Sequence, residues 1–265
     1  MFGGQVATID RVDGLAAPGE FSGQDLAIHL LDECRKLGVT VIESHAAQFD
    51  ASDRIRVTDE DGKTYAPNAV IVATGARLRR LGVPGEDRLT GRGVSQCATC
   101  DGPLFRGKDV VVIGGGDSAV QEAFNLTRSC REVTMVCRGP MRAKRHYIER
   151  LASRENVRFV WNHTVEEILG EQVVDGVRIR RPDGHAEDIA CAGVFRYIGV
   201  QPDAGFLPPG LRDADGYIVV DADTRTGDSR VFAAGAVRAG FGGDINQAMA
   251  DGVSAAIMAC RDGNG

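Results

Sequence analysis

Cys97-Ala98-Thr99-Cys100-Asp101-Gly102 is the stretch whose residue types and spacing carry the most chemistry. Two cysteines with two residues between them bring their sulfurs within bonding distance across one turn, and the motif commonly lowers the pKa of one thiol. A thiolate is the species that attacks a disulfide, so such a pair suits disulfide exchange. Asp101 follows directly and offers a carboxyl group to carry a proton to or from a sulfur. Two blander readings stand beside the redox one. The pair is half of a zinc site if two more ligands converge on it, but Cys34, Cys130, Cys137, Cys191 and Cys260 are scattered singly and no His-x-x-x-His occurs. The pair is simply buried if the thiols are idle, since free cysteine packs like a small hydrophobe. The redox reading is favoured, and no metal site is expected.

A second chemical stretch follows closely. Val110-Val111-Val112-Ile113 runs into Gly114-Gly115-Gly116-Asp117-Ser118-Ala119, which fits G-x-G-x-x-A between an apolar strand and a helix. Gly114 permits the tight turn, Gly116 lets the backbone approach a pyrophosphate, and Ala119 packs helix on strand. Asp117 and Ser118 open the helix, whose N-terminus favours anionic phosphates. A dithiol beside a dinucleotide site points to electrons passing from a nicotinamide to a disulfide.

The end of the next strand selects the nucleotide. An acid there binds a ribose 2′-OH, whereas Arg favours a 2′-phosphate. Val133-Thr134-Met135-Val136 ends in Cys137-Arg138 with Arg142 close by, and Glu132 lies before the strand. NADPH is therefore expected over NADH. The alternative is a solvated basic helix, since Lys144, Arg145 and Arg150 continue the charge. The five histidines (His29, His45, His146, His163 and His185) are isolated and read as surface or core residues.

The chain that must position these groups has 265 residues, room for one large or two medium domains. A 43% hydrophobic content supports a real core, and several of the 34 glycines follow apolar runs. A net charge of −6 argues against a nucleic-acid partner. No apolar run approaches the ~20 residues of a membrane span, and Met1-Phe2-Gly3-Gly4-Gln5 lacks the basic start of a signal peptide. A cytoplasmic location is expected, where most cysteines stay reduced and a Cys97/Cys100 pair is catalytic rather than a staple.

Ser22-Gly23-Gln24-Asp25 resembles a capping box, and the helix behind it places Leu26, Leu30, Leu31, Cys34 and Leu37 on one face. Strands are expected at Val39–Ile42, Arg54–Thr58, Ala69–Ala73, Val133–Val136, Val157–Val160, Val177–Arg180, Val194–Gly199, Tyr217–Val220 and Val231–Gly235. Helices are expected from about Ser118 to Arg128, Met141 to Leu151 and Asn246 to Cys260. Leu81–Arg92 and Gln201-Pro202-Asp203 read as connectors. One pattern recurs: Arg54-Ile55-Arg56, a turn at Asp61-Gly62, then an apolar strand to Gly75; and Arg178-Ile179-Arg180, a turn at Asp183-Gly184, then an apolar strand to Gly199. The recurrence implies two domains of the same build. Only the second carries its glycine turn; that of the first is expected before Met1.

At this point the sequence resembles the bacterial low-molecular-weight thioredoxin reductases, nearly end to end. Cys97-Ala98-Thr99-Cys100-Asp101-Gly102 matches their redox motif, Ala73-Thr74-Gly75-Ala76 their flavin-domain strand end, and Val231-Phe232-Ala233-Ala234-Gly235 the segment that reaches the flavin. The resemblance implies an α/β fold of two Rossmann-like three-layer dinucleotide-binding domains. The NADPH domain, about 82–203, is inserted in a discontinuous FAD domain, about 1–81 and 204–265. It implies that Cys100 is the thiol nearest the flavin, that Cys97 attacks thioredoxin's disulfide, and that Asp101 moves the proton. It assigns FAD contacts to Gly3, Gly4, Gln5, Ala73, Thr74, Gly75, Gly235, Ala236, Asn246, Gln247 and Ala248. Gly114, Gly116, Asp117, Ser118, Ala119, Arg138 and Arg142 fall to NADPH. The expected partner is thioredoxin or a related dithiol protein, and the expected assembly a homodimer.

Four departures go with the resemblance. Ala236 stands where the family has Asp, and Asn246-Gln247-Ala248 stands for Arg-Gln-Ala. The basic His-Arg-Arg motif is one residue shorter, leaving Cys137-Arg138 before Arg142. The first glycine turn is missing, so Met1 reads as an internal methionine and FAD binding as weak. A first βαβ unit needs roughly 30 or more residues. Two rival functions are a specialised relative, such as a dithiol oxidase or peroxiredoxin reductase, and a non-catalytic nucleotide-binding fragment.

Overall fold

The computed structural model describes residues 3–9, 12, 15 and 21–262; Met1 and Phe2, read above as an internal start, lie outside them. Contacts divide the chain into two compact units, Met1–Arg77 with Gln201–Gly265, and Leu78–Val200.

In the first unit Ser22 caps helix α1 (Gly23–Lys36). Its hydroxyl oxygen accepts from the Asp25 N–H at 3.1 Å, satisfying one of the orphan amides of the first turn. Gly23, Leu26 and Ala27 are buried, but Leu30 and Leu37 are exposed, so the apolar face expected from Leu26 to Leu37 is used only at its start. Val39–Ile42 is not a strand: it finds no neighbour to pair with among the described residues, and Val39, Val41 and Ile42 are exposed. The first ladder comes later, as an antiparallel meander of β1 (Ala46–Asp50), β2 (Arg56–Asp59) and β3 (Thr64–Tyr65). Next come β4 (Val70–Val72), in which Val72 is buried but Ile71 is exposed, and the short β5 (Ala76–Leu78).

In the second unit a short α2 (Glu86–Leu89) lies inside the stretch expected as a connector. It is followed by β6 (Val94–Ser95), α3 (Ala98–Asp101), β7 (Asp109–Ile113) and α4 (Asp117–Leu126). The chain continues through β8 (Glu132–Cys137), α5 (Arg145–Ala152), β9 (Val157–Trp161), β10 (Thr164–Leu169), β11 (Gly176–Arg180), β12 (Ala186–Ala190) and β13 (Gly193–Arg196). The central sheet runs β6-β13-β7-β8-β9 with every pair parallel. Side chains alternate across a strand, so an all-parallel sheet needs apolar residues at every position. β7 obeys: Val110 and Val112 join the core with α4 and α5, while Val111 and Ile113 join the core with the meander β10-β11-β12. Helices, sheet and meander make three layers, the Rossmann-like α/β arrangement.

The chain then leaves through β14 (Val200–Pro202), which pairs with β5. Back in the first unit, β15 (Val231–Ala233) lies parallel to β4, with Val231 opposite Val70 and Ala233 opposite Val72. The closing helix α6 (Ile245–Asp262) packs Ala255 against Phe232 and Ala234. Tyr217–Val220 is not a strand; only Ile218 makes bridges, to Arg212 and Arg238. The recurring sequence pattern has a structural counterpart. In each unit a meander with its tight turn at Asp-Gly precedes a strand, β4 or β13, that enters a parallel sheet. Among the described residues no helix is long and apolar enough to cross a membrane.

Candidate active site

Strand β6 delivers the chain to the dithiol. Ser95 is buried, and its hydroxyl donates to Asp101 Oδ2 at 2.6 Å while its oxygen accepts from the Cys97 N–H at 3.1 Å. Cys97 is extended (φ −134°, ψ 98°) and caps α3, its Sγ accepting from the Cys100 N–H at 3.1 Å. One helical turn sets the two Cα atoms 5.3 Å apart, an ordinary span for a disulfide, and Cys97 and Cys100 are bonded as one. Cys97 is half-buried and Cys100 exposed. The Ala98 N–H donates to Tyr197 Oη at 3.1 Å. Burial pushes the Tyr197 phenol far above its usual range, so it stays neutral.

These facts bring Cys97, Cys100 and Asp101 together and add two residues that sequence reasoning missed. Ser95 stands two positions before Cys97, the spacing of a Ser turn, and that signal was available. Tyr197 is 99 positions from Ala98 and left no local signal.

The glycine turn sits between β7 and α4. Gly114 has φ +134°, and a Cβ there would run into the Tyr197 carbonyl oxygen. Gly116 is exposed, and an added Cβ would meet nothing within 4 Å. Such open backbone at the start of a ten-residue helix fits a pyrophosphate. Asp117 and Ser118 begin α4, and Ala119 is fully buried beneath the turn. The segment after β8 folds back over it: the Arg142 and Ala143 N–H groups both donate to Gly115 O, at 2.8 and 3.2 Å. Arg138 and Arg142 are exposed, and neither has a carboxylate partner among the described residues. The donor set suits a 2′-phosphate.

In the first unit the flavin-assigned residues fall on an N-terminal turn, on strand ends and at one helix start. The Gln5 side-chain amide donates to Ala76 O, and Gly3 packs beside Ala27 while Gly4 is open. Ala73, Thr74 and Gly75 leave β4, with Thr74 Oγ1 donating to Asp203 O at 2.6 Å and the Asp203 N–H to Gly75 O at 3.0 Å. Gly235 and Ala236 leave β15; Gly235 has φ +73° and faces Ala248, with 3.5 Å between an added Cβ and the Ala248 Cβ. The Gly235 N–H donates to the buried Asp251 carboxylate at 3.1 Å, which also takes Arg238 in a two-pronged pair at 2.6 and 2.9 Å. Asn246 and Gln247 are held locally: the Asn246 N–H donates to Asp244 at 2.7 Å, and Gln247 accepts from the Gly242 N–H at 2.8 Å. Gly75, at the end of β4, has open space where a side chain would stand and fits close approach of a flavin nucleotide, whereas Gly235, at the end of the adjacent parallel β15, is buried against Ala248. Asp203, Arg238 and Asp251 escaped sequence reading because their partners are distant in sequence.

The family model "Pyridine nucleotide-disulphide oxidoreductase" matches residues 4–263. The chain is 39% identical over 263 residues to a thioredoxin reductase of Treponema pallidum, spanning 97% of this chain and 85% of that protein. It is 38% identical over 254 residues to one of Listeria innocua, spanning 94% and 80%. Among solved structures, Lactococcus lactis thioredoxin reductase superposes with a TM-score of 0.93 at 33% identity, over 98% of this chain and 88% of that one. That of T. acidophilum gives 0.89 at 33%, over 99% and 88%. The chain belongs to the pyridine nucleotide-disulphide oxidoreductase family, among its thioredoxin reductases.

Proposed function

We propose that the chain carries electrons from NADPH through FAD to the Cys97–Cys100 disulfide and on to thioredoxin or a related dithiol protein. The observation that carries this reading is the disulfide itself, capped on α3 with Asp101 beside it and in the same unit as an open glycine turn. In this reading Leu78–Val200 takes NADPH and the discontinuous unit takes FAD. Gly114, Gly116 and Ser118 receive the pyrophosphate above the buried Ala119, and Arg138 and Arg142 take the 2′-phosphate. Gly3, Gly4, Gln5, Ala73, Thr74, Gly75, Gly235, Ala236, Asn246, Gln247 and Ala248 line the flavin. The protein works as a cytoplasmic homodimer.

Bound FAD supplies a two-electron relay between nicotinamide and disulfide. The chain's own residues do the rest. When the sulfur–sulfur bond opens, two electrons and two protons convert it to two thiols. The Cys100 N–H already points at Cys97 Sγ, where negative charge collects as the bond breaks. Asp101, oriented by Ser95, is placed to hold or release a proton. The reduced pair then exchanges with a partner disulfide, returning to the bonded state.

Anaerobic titration with NADPH tests this. The expected result is two new thiols per chain, mapping to Cys97 and Cys100, and their loss on addition of oxidised thioredoxin. Two new thiols that reduce a peroxiredoxin or a small disulfide but no thioredoxin would favour a specialised relative. No new thiols would overturn the reading.

A further inference from the structure

Asp117 presents a difficulty that the structure resolves. It is the first residue of α4, beside the open Gly116 backbone where a pyrophosphate is proposed to bind, and a carboxylate there repels phosphate. Its side chain is committed elsewhere. Oδ1 accepts from the backbone N–H of Lys144 at 2.7 Å, and Oδ2 lies 3.9 Å from Lys144 Nζ.

Lys144 ends the segment that carries Arg138 and Arg142. At the other end of this segment, Cys137 Sγ donates to Gly114 O at 3.2 Å. Directly before Lys144, the Arg142 and Ala143 N–H groups share Gly115 O. Three consecutive amides, of residues 142, 143 and 144, are thus tied to Gly115 and Asp117. The two contacts at Gly115 join backbone to backbone and depend on no side chain. The contact at Lys144 depends on the Asp117 side chain.

We propose that Asp117 is a positioning residue for nucleotide choice: by holding the Lys144 amide it fixes the 138–144 segment over the glycine turn, so that Arg138 and Arg142 stand where a ribose 2′-phosphate arrives. This rests on the proposal that the unit binds NADPH. It also explains how a basic motif shortened before Arg142 keeps a defined position. The segment is set by the Gly115 carbonyl oxygen together with a side chain of the phosphate-binding helix, rather than by its own length. A helix-dipole role alone would require only a negative charge in the first turn. The Lys144 contact requires an acceptor at Oδ1.

The test is calorimetric, with NADP⁺ and NAD⁺ titrated into the full-length flavin-containing protein and its variants. Asp117→Ala should weaken NADP⁺ by about tenfold while changing NAD⁺ by less than about threefold, the scale of one charge-assisted hydrogen bond. Asp117→Asn keeps an amide oxygen for the Lys144 N–H and should retain most of the discrimination. Lys144→Pro removes the donor while leaving Asp117 intact, and φ −57° at Lys144 suits proline, so it should lose discrimination as Asp117→Ala does. In an Arg138→Ala/Arg142→Ala background, Asp117→Ala should leave the NADP⁺ to NAD⁺ ratio unchanged. Equal shifts for both nucleotides in Asp117→Ala would overturn the positioning role and assign Asp117 to the pyrophosphate. A parent protein that binds NAD⁺ as tightly as NADP⁺ would overturn the NADPH reading, and the positioning role with it.

Discussion

Tyr197 joins the dithiol to the glycine turn: its phenolic oxygen accepts from the Ala98 N–H at 3.1 Å, and its carbonyl oxygen fills the space a side chain at Gly114 would need. The residue lies just beyond β13, the strand beside β7, and its own N–H donates to Ile113 O at 2.8 Å. One buried side chain and its peptide therefore fix both chemical elements of the second unit.

Tyr197→Phe keeps the ring and removes the acceptor, leaving the buried Ala98 amide without its partner. The expected cost is ~1–3 kcal/mol of stability. Urea denaturation measures it. The Cys97–Cys100 disulfide should also react faster with a small dithiol, because its helix start is looser. An unchanged midpoint would mean that water replaces the phenol at no cost.

The seven cysteines should fall into two kinetic classes. Cys34 and Cys260 are exposed, and reduction frees Cys97 and Cys100. Cys130, Cys137 and Cys191 are buried, and burial pushes the Cys137 thiol up to about 11 and Cys191 to about 12. At neutral pH those thiols carry almost no thiolate, the reactive form. A maleimide reagent added to the reduced native protein should label the first four quickly and the other three only on unfolding. Fast labelling of Cys137 would show that the segment over the glycine turn opens readily.

Asp251→Ala should be among the most destabilising single changes. It strips the Arg238 guanidinium, only 13% exposed, of its carboxylate and the Gly235 N–H of its acceptor. Leaving one partner of a buried pair uncompensated costs ~3–5 kcal/mol. Asp251→Asn, which keeps one acceptor oxygen, should cost less. Thermal melts of the two variants, with absorbance of bound flavin as a second readout, check both the size and the order of the effects.

The β7–turn–α4 unit was legible in sequence because its forces are local. Val110–Ile113 is apolar at every position since both faces of the strand are covered, and Gly114 is demanded by backbone geometry. The Asp-Gly turns and the hairpins they close, β2-β3 and β11-β12, were legible for the same reason. β1 was not: Ala46-Ala47-Gln48-Phe49-Asp50 has no clean alternation, and four of its five residues are exposed. Val39–Ile42 has strand-forming residues but no ladder to join among the described residues, showing that β propensity needs a neighbour. At the candidate site the cysteines, Asp101 and the glycines carry signatures of type and spacing. Ser95 aside, the residues that orient them, Tyr197, Asp251 and Asp203, act through contacts across long stretches of sequence.

Whether electrons leave a nicotinamide nucleotide through Cys97 and Cys100 is read most directly by NADPH oxidation with thioredoxin as acceptor. The measurement compares the flavin-containing protein with its Cys97→Ser and Cys100→Ser variants. Each variant should lose turnover by a factor of about 10³ or more, since both sulfurs are needed to close the cycle. Cys97→Ser should still allow the remaining thiol to be alkylated. Undiminished thioredoxin reduction by either variant would contradict the assignment of this disulfide as the route.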